Sequence, residues 1–244
     1  MALGPNNKFT LRTAQMSGSE AYDAGIDAGL RKYMLKVYNY MCIGLALTGA
    51  VAFAASTSDE LMRAIYGSPL QWVVMLAPIG MVFFLAAKVH SMRASTAQTV
   101  FWIYAGLMGL SLSYIFLVFT GASITRVFFV TSGAFAGLSL YGYTTKRDLS
   151  GMGTFMVMGL IGIIIASIVN IFLMSSGLQF VISILGVLIF AGLTAYDTQK
   201  IKSMYYDADG HEVAEKKAIM GALSLYLDFI NMFIFLLHLF GNRE

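Results

Sequence analysis

The segment LIFAGLTAYDTQKIK, residues 188–202, is a long apolar run that holds an aspartate, Asp197, close to its end. A second apolar segment, GALSLYLDFINMFIFLLHLF, residues 221–240, holds Asp228 well inside it. A carboxylate in the hydrocarbon of a membrane is energetically costly, and such residues usually have a function. The two aspartates are therefore the first candidates for a functional site.

The rest of the chain has the composition of a membrane protein. Of its 244 residues, 58% are hydrophobic and only 12% are charged, whereas soluble domains carry about 25% charged residues. The apolar runs are close to the ~20 residues that a helix needs to cross the hydrocarbon core. They are also continuous, unlike the alternating pattern of a membrane β-barrel. The sequence therefore predicts an all-α polytopic membrane protein.

Seven apolar segments predict seven transmembrane helices. They cover residues 34–56, 70–87, 97–119, 123–145, 152–174, 178–199 and 218–240. The links 120–122 and 175–177 are so short that the helices on either side must be antiparallel neighbours. Residues 1–31 form a polar N-terminal segment without the apolar core of a signal peptide, and residues 32–244 form the transmembrane domain. Two glycines in GAFAG, residues 133–137, are interpreted as helix packing within the monomer.

The basic residues predict the orientation of the chain in the membrane. Thirteen of the sixteen Lys and Arg residues fall on one side, and only Arg63, Arg126 and Arg243 fall on the other. The positive-inside rule then places the N-terminus in the cytoplasm and, after seven spans, the C-terminus outside. One alternative stays open, because Asp228 and Asn231 interrupt the last segment. If that segment were re-entrant, the C-terminus would return to the cytoplasm.

The two aspartates are predicted to meet. Asp197 lies nine residues before the polar loop 206–217, and Asp228 lies eleven residues after it. On antiparallel helices this places both carboxylates about 13–17 Å from the loop. Two carboxylates in a low-dielectric site do not easily both ionise, so the pair is expected to share one proton near neutral pH. Loss of that proton creates a repulsion that a cation relieves, and oxygen ligands suit calcium.

Other interpretations of the charged residues remain open. Asp197 would cap a helix, or pair with Lys200 or Lys202, if the sixth span ended early. Arg93 and Lys88 flank the connection between the second and third spans. Either one is a candidate counter-ion of the aspartate pair, although basic residues at this place also set the topology.

Two further classes of protein use membrane carboxylates. Intramembrane aspartyl proteases carry YD and GxGD motifs, and AYD at residues 195–197 matches the first of these. The second aspartate lies in YLDF instead of after a glycine pair, so the chain is not expected to be an enzyme. A secondary transporter would also use a protonatable pair, but the sequence lacks the signature of a discontinuous helix.

Three segments resemble the Bax inhibitor-1 family, also called the transmembrane Bax-inhibitor-motif family. They are GLTAYDTQKI at residues 192–201, LSLYLDFINMFIFLL at 223–237 and AGLMGLSLSYIF at 105–116. The bacterial branch, which includes YccA-like proteins, is the most similar in length. This resemblance implies a seven-helix fold with the seventh helix central, and a location in the bacterial inner (plasma) membrane.

The resemblance also implies roles for individual residues. Asp197 and Asp228 match the family's pH-sensing pair, which is thought to gate a calcium leak. An arginine at the cytoplasmic end of the second span latches that pair, and KVHSMRAST, residues 88–96, makes Arg93 the candidate here, with Lys88 next.

These features favour a pH-regulated calcium leak channel, with Asp197 and Asp228 as sensor and tentative calcium ligands. The alternative is a membrane-embedded regulator that binds an integral membrane protease, through its polar N-terminal segment, and conducts no ions. The expected partners are the lipid bilayer, protons and calcium. We expect no cofactor and no nucleic-acid partner.

Overall fold

The computed structural model describes the backbone of residues 18–243 and the side chains of residues 27–243. The helices are α1 Gly18–Ser56, α2 Asp59–Tyr66, α3 Leu70–Lys88, α4 Ala94–Leu112, α5 Ile115–Val118, α6 Gly121–Thr144, α7 Ser150–Leu173, α8 Ser176–Ser203 and α9 His211–Phe240. Within this part of the chain, the only β-type pairing is an isolated bridge between Phe119 and Arg243.

Seven of these segments are long and apolar enough to cross a membrane, as the sequence predicted. They are Asp27–Ser56, Leu70–Lys88, Ala94–Val118, Gly121–Thr144, Ser150–Leu173, Ser176–Ser203 and His211–Phe240. The fold is therefore an all-α polytopic membrane protein. Most of the N-terminal segment, residues 1–17, lies outside the described residues.

The helices differ most from the predicted segments in four places. Helix α1 begins at Gly18, sixteen residues before the predicted segment 34–56. The third span is interrupted at Ser113 and Tyr114, which separate α4 from α5. The short helix α2 was not predicted; Ser58 caps its N-terminus by accepting a hydrogen bond from the Leu61 backbone N–H. The last helix begins at His211, seven residues before the predicted segment, because the charged residues of its first turns pack against other parts of the protein.

Helix α9 lies at the centre of the bundle. It packs against α8, α1, α6 and α4, and residues on several of its faces are fully buried, among them Ala222, Leu225, Tyr226 and Leu237. A helix that is apolar all round is stable only when neighbours surround it. The central position implied for the seventh span is thus confirmed.

The same helix does not support the re-entrant alternative. It is continuous over 30 residues, or about 45 Å, which is more than the ~30 Å of the hydrocarbon core. Which end of the bundle faces the cytoplasm stays a prediction. We refer to the end that contains the α8–α9 loop, residues 204–210, as the basic end.

Glycine packing corrects one interpretation of the sequence. Gly133 and Gly137 of the GAFAG segment are exposed, and a Cβ atom added to either would meet nothing within 4 Å. These glycines therefore do not pack within the monomer. Gly142, one turn further along α6, does: a Cβ there would overlap the Ala195 carbonyl of α8. The α6–α8 contact thus depends on Gly142.

We expect Gly142→Ala to destabilise the protein by about 1–3 kcal/mol, because the added methyl group forces α6 away from α8. The matched control is Gly137→Ala on the same helix, which should change stability by less than about 0.5 kcal/mol. Thermal unfolding in detergent micelles measures both. Equal unfolding temperatures for the two variants would contradict the close packing at Gly142.

Candidate functional site at the aspartate pair

The register of α8 against α9 determines how close the two aspartates lie. The helices are antiparallel, and two contacts bracket the pair. Near the basic end Ile201 packs on Gly221, and deeper in the bundle Phe235 packs on Gly186. Counted from the Ile201–Gly221 contact, Asp197 is about 6 Å deeper and Asp228 about 10 Å deeper. The two residues therefore lie within one helical turn of the same depth, as the loop spacing predicted.

Asp228 is buried in the middle of the protein. The residue is only 4% exposed, and its Oδ2 atom has no hydrogen-bond partner. The charged side chain whose field acts on it is Asp197. Because an unpaired buried polar atom costs about 1–3 kcal/mol, more for a charged group, this carboxyl needs either a proton or a cation.

Asp197 lies at the edge of the same region and is half-buried. Helix α8 continues to Ser203, so Asp197 is inside the helix and does not cap it. The two lysines that were its alternative partners are engaged elsewhere. Lys200 lies over the Tyr196 ring at 5.8 Å, and Lys202 donates a hydrogen bond of 2.9 Å to the Tyr143 carbonyl. The field of Lys200 still reaches Asp197, but the structure shows no salt bridge between them.

A chain of hydroxyl groups reaches α8 beside Asp197. The hydroxyls of Tyr38 on α1 and Ser139 on α6 share a hydrogen bond of 2.5 Å. Ser139 in turn lies 3.0 Å from the hydroxyl of Thr198, which donates to the Thr194 carbonyl. Ser139 and Thr198 are buried. The helix that carries Asp197 is thus connected by polar contacts to α6 and α1.

The candidate latch residues lie at the basic end, apart from the pair. Arg93 is the residue that precedes α4 and Lys88 is the last residue of α3, and both are exposed. Neither forms one of the salt bridges found among the described residues, which join Lys36 to Glu215 and Lys217 to Asp209. In this conformation neither basic side chain contacts an aspartate of the pair.

A third carboxylate, Glu215, was not identified from the sequence. It lies on α9 and is 7% exposed. It pairs with Lys36 and accepts a hydrogen bond from the Tyr40 hydroxyl, both on α1. In the sequence it stands among charged loop residues, so only its partners on a distant helix reveal that it is buried.

Two further charged residues attach the same end of α9 to the α3–α4 connection. Glu212 accepts a hydrogen bond of 2.5 Å from the Ala94 backbone N–H, at the N-terminus of α4, where negative charge is favourable. Lys216 donates to the carbonyls of His90 and Met92 at 3.3 and 3.2 Å. The first two turns of α9 are therefore fastened to α1 on one side and to the α3–α4 connection on the other.

The side chains available for a metal ion are few. Among the described residues, no group of three or more His, Cys, Asp or Glu side chains is arranged to hold a metal. Calcium takes 6–8 oxygen ligands, so an ion at Asp197 and Asp228 would need most of them from water and backbone carbonyls.

We expect Lys36→Met to destabilise the protein, because it leaves Glu215 buried without its cation. Removal of one partner from a fully buried pair costs about 3–5 kcal/mol; since the Lys36 side chain is 42% exposed, we expect roughly 1–2 kcal/mol. The double variant Lys36→Met/Glu215→Leu should regain part of this loss. Thermal unfolding in detergent measures it, and Lys32→Met, an exposed lysine one turn earlier, is the control. A loss no greater than that of the control would contradict the pairing.

Sequence comparison places this chain in a known family. Residues 30–244 match the family described as Inhibitor of apoptosis-promoting Bax1. The uncharacterized protein RP147 of Rickettsia prowazekii is 51% identical over 218 residues, which cover 89% of this chain and 92% of that protein. An uncharacterized protein of Caulobacter vibrioides is 45% identical over 98% of this chain and 100% of its own length. The inner membrane protein YbhL of Escherichia coli is 46% identical over 89% of this chain and 94% of its own. With seven spans, a central last helix and matches to bacterial proteins, this chain belongs to the Bax inhibitor-1 family.

Proposed function

We propose that the protein is a pH-regulated leak pathway for calcium or other cations, gated by Asp197 and Asp228. The observation that supports this proposal most strongly is the state of Asp228: a carboxyl at the centre of a membrane protein, with one oxygen unpartnered, beside a second carboxyl. Ionisable residues inside membrane spans are rare, and they commonly mark ion pathways and proton relays.

The gate follows from the electrostatics of the pair. With one proton held by the pair, the site carries at most one negative charge and α8 stays packed against α9. At an effective dielectric constant of ~20, two unit charges about 6 Å apart repel by about 3 kcal/mol. An energy of this size shifts an equilibrium between two helix arrangements by roughly a hundredfold. Loss of the proton therefore favours separation of the helices or entry of a cation between the carboxylates.

Both helices of the pair are held at the basic end. Helix α9 is held by Glu212 and Glu215, and α8 by Gln199 and Lys202, which bond to the α6–α7 connection and to α6. We therefore assign the movement to the α8–α9 contact around the pair. In this scheme Arg93 or Lys88 would act as the latch only in a second conformation, since both are exposed in the present one.

The test is calcium flux into proteoliposomes from pH 5 to pH 8. Wild-type flux should rise with pH, because deprotonation of the pair creates the repulsion that opens the pathway. Asp228→Asn and Asp197→Asn each leave one carboxyl, which can still ionise but has no second charge to repel, so the pH dependence of each should be flat. Asp207→Asn, which removes an exposed charge in the α8–α9 loop, is the matched control and should behave like the wild type.

Absence of calcium flux at every pH would refute the leak pathway. The alternative, a regulator that binds an integral membrane protease, predicts a different dependence. Deletion of residues 1–25 would then abolish the effect on the protease, while substitution of the aspartates would leave it intact. A leak pathway predicts that flux survives this deletion.

A further inference from the structure

A groove of ≈ 750 Å³ opens between α1 and α6, two helices that contain membrane-spanning segments. Its volume is in the range of sites that hold a small organic molecule, about 300–1,000 Å³. The walls are mainly apolar and include Met34, Leu45, Phe128, Phe135, Leu140 and Phe229. Phe229 lies on α9 and forms part of the floor, so the groove reaches the central helix.

The basic end of the groove carries positive charge. Arg31 lines the groove there and is exposed. Tyr143 lines the opposite wall. Lys202 does not line the groove; it lies over the Tyr143 ring at 4.9 Å and donates a hydrogen bond to the Tyr143 carbonyl. One cation, Arg31, therefore lines the basic end of the groove, and a second lies behind Tyr143.

The groove is long enough for an acyl chain. Along α1 its lining extends from Arg31 to Ala46, or about 22 Å of helix. One leaflet contributes about 15 Å of hydrocarbon, half of the ~30 Å core. The remaining length corresponds to the headgroup region, where Arg31 lies. The distribution of charge and apolar surface thus matches one lipid molecule that stands upright in its leaflet.

An occupant of the groove would contact α9, which carries Asp228, and would reach α8 only through α6. The hydrogen bond between Tyr38 and Ser139 joins α1 to α6, and both residues line the groove. Ser139 also contacts Thr198, the residue after Asp197, and Phe229 follows Asp228 in the sequence. A bound molecule would therefore contact the residue after Asp228 directly, and the residue after Asp197 through Ser139.

We propose that this groove is a binding site for one anionic phospholipid. Its phosphate contacts Arg31 at the basic end, and one acyl chain lies against Phe128, Phe135 and Phe229. A neutral lipid would fill the same walls but would leave Arg31 without a counter-charge. The site is independent of ion conduction and would exist in a protein that passes no calcium.

The chain provides its own reporter for this site, because its one cysteine, Cys42, lines the groove and is exposed. The experiment measures the rate at which N-ethylmaleimide alkylates Cys42 in delipidated protein in detergent. Phosphatidylglycerol should slow this rate in a saturable manner. Diacylglycerol with the same acyl chains should protect only at higher concentration, because it lacks the phosphate.

Three variants make the test specific. Arg31→Gln should raise the half-protecting concentration of phosphatidylglycerol about fivefold, the contribution expected of one cation near a lipid headgroup. Lys32→Gln removes a neighbouring charge that does not line the groove, so it should change that concentration less than twofold. Ala136→Trp fills the groove and should make protection independent of added lipid.

Three results would overturn the proposal. The first is equal protection by phosphatidylglycerol and diacylglycerol, with no effect of Arg31→Gln. The second is equal protection of a cysteine placed at Ile164, on the exposed face of α7, in a Cys42→Ser background. Either finding would mean a general shell of lipid. The third is protection that grows with protein concentration in the absence of lipid, which would assign the groove to a second copy of the chain.

Discussion

The buried carboxyl of Asp228 is the constraint on which the other features of this protein depend. A helix at the centre of a membrane bundle has no water to solvate an acid, so the acid needs a proton, a partner or an ion. Asp228 has its Oδ2 atom unpartnered and a second acid, Asp197, within one turn of depth. In the proposed gate, the pair links the protonation state to the packing of α8 on α9.

Contacts at the basic end limit how α8 and α9 can move. Helix α9 is held there by Glu212, Glu215 and Lys216, which bind α1 and the α3–α4 connection. Helix α8 is held by the hydrogen bond from Lys202 to α6, and the close contact of Ile201 with Gly221 keeps the α8–α9 register. In the proposed gate, the effect of a local charge is therefore confined to the α8–α9 contact around the pair.

The proposed lipid site places a second influence on the same helices. Its floor includes Phe229. Ser139, which lines the groove and is hydrogen-bonded to Tyr38, also contacts Thr198 of α8. In a membrane, a lipid held at a fixed position acts as a ligand of the protein. The contact between α8 and α9 would then depend on the protonation of the aspartate pair, on a cation between the carboxylates and on a lipid in the groove.

The sequence by itself determined the seven spans, the fold class and the equal depth of Asp197 and Asp228, because span length, hydropathy and residue spacing along a helix are local properties. It did not reveal that Glu215 is buried, that Gly142 packs while Gly133 and Gly137 are exposed, or that a groove separates α1 from α6. These features depend on the rotation of each helix about its axis and on partners more than a hundred residues away. Only the tertiary structure decides them, since every face of a membrane helix is apolar and hydropathy does not distinguish lipid from protein.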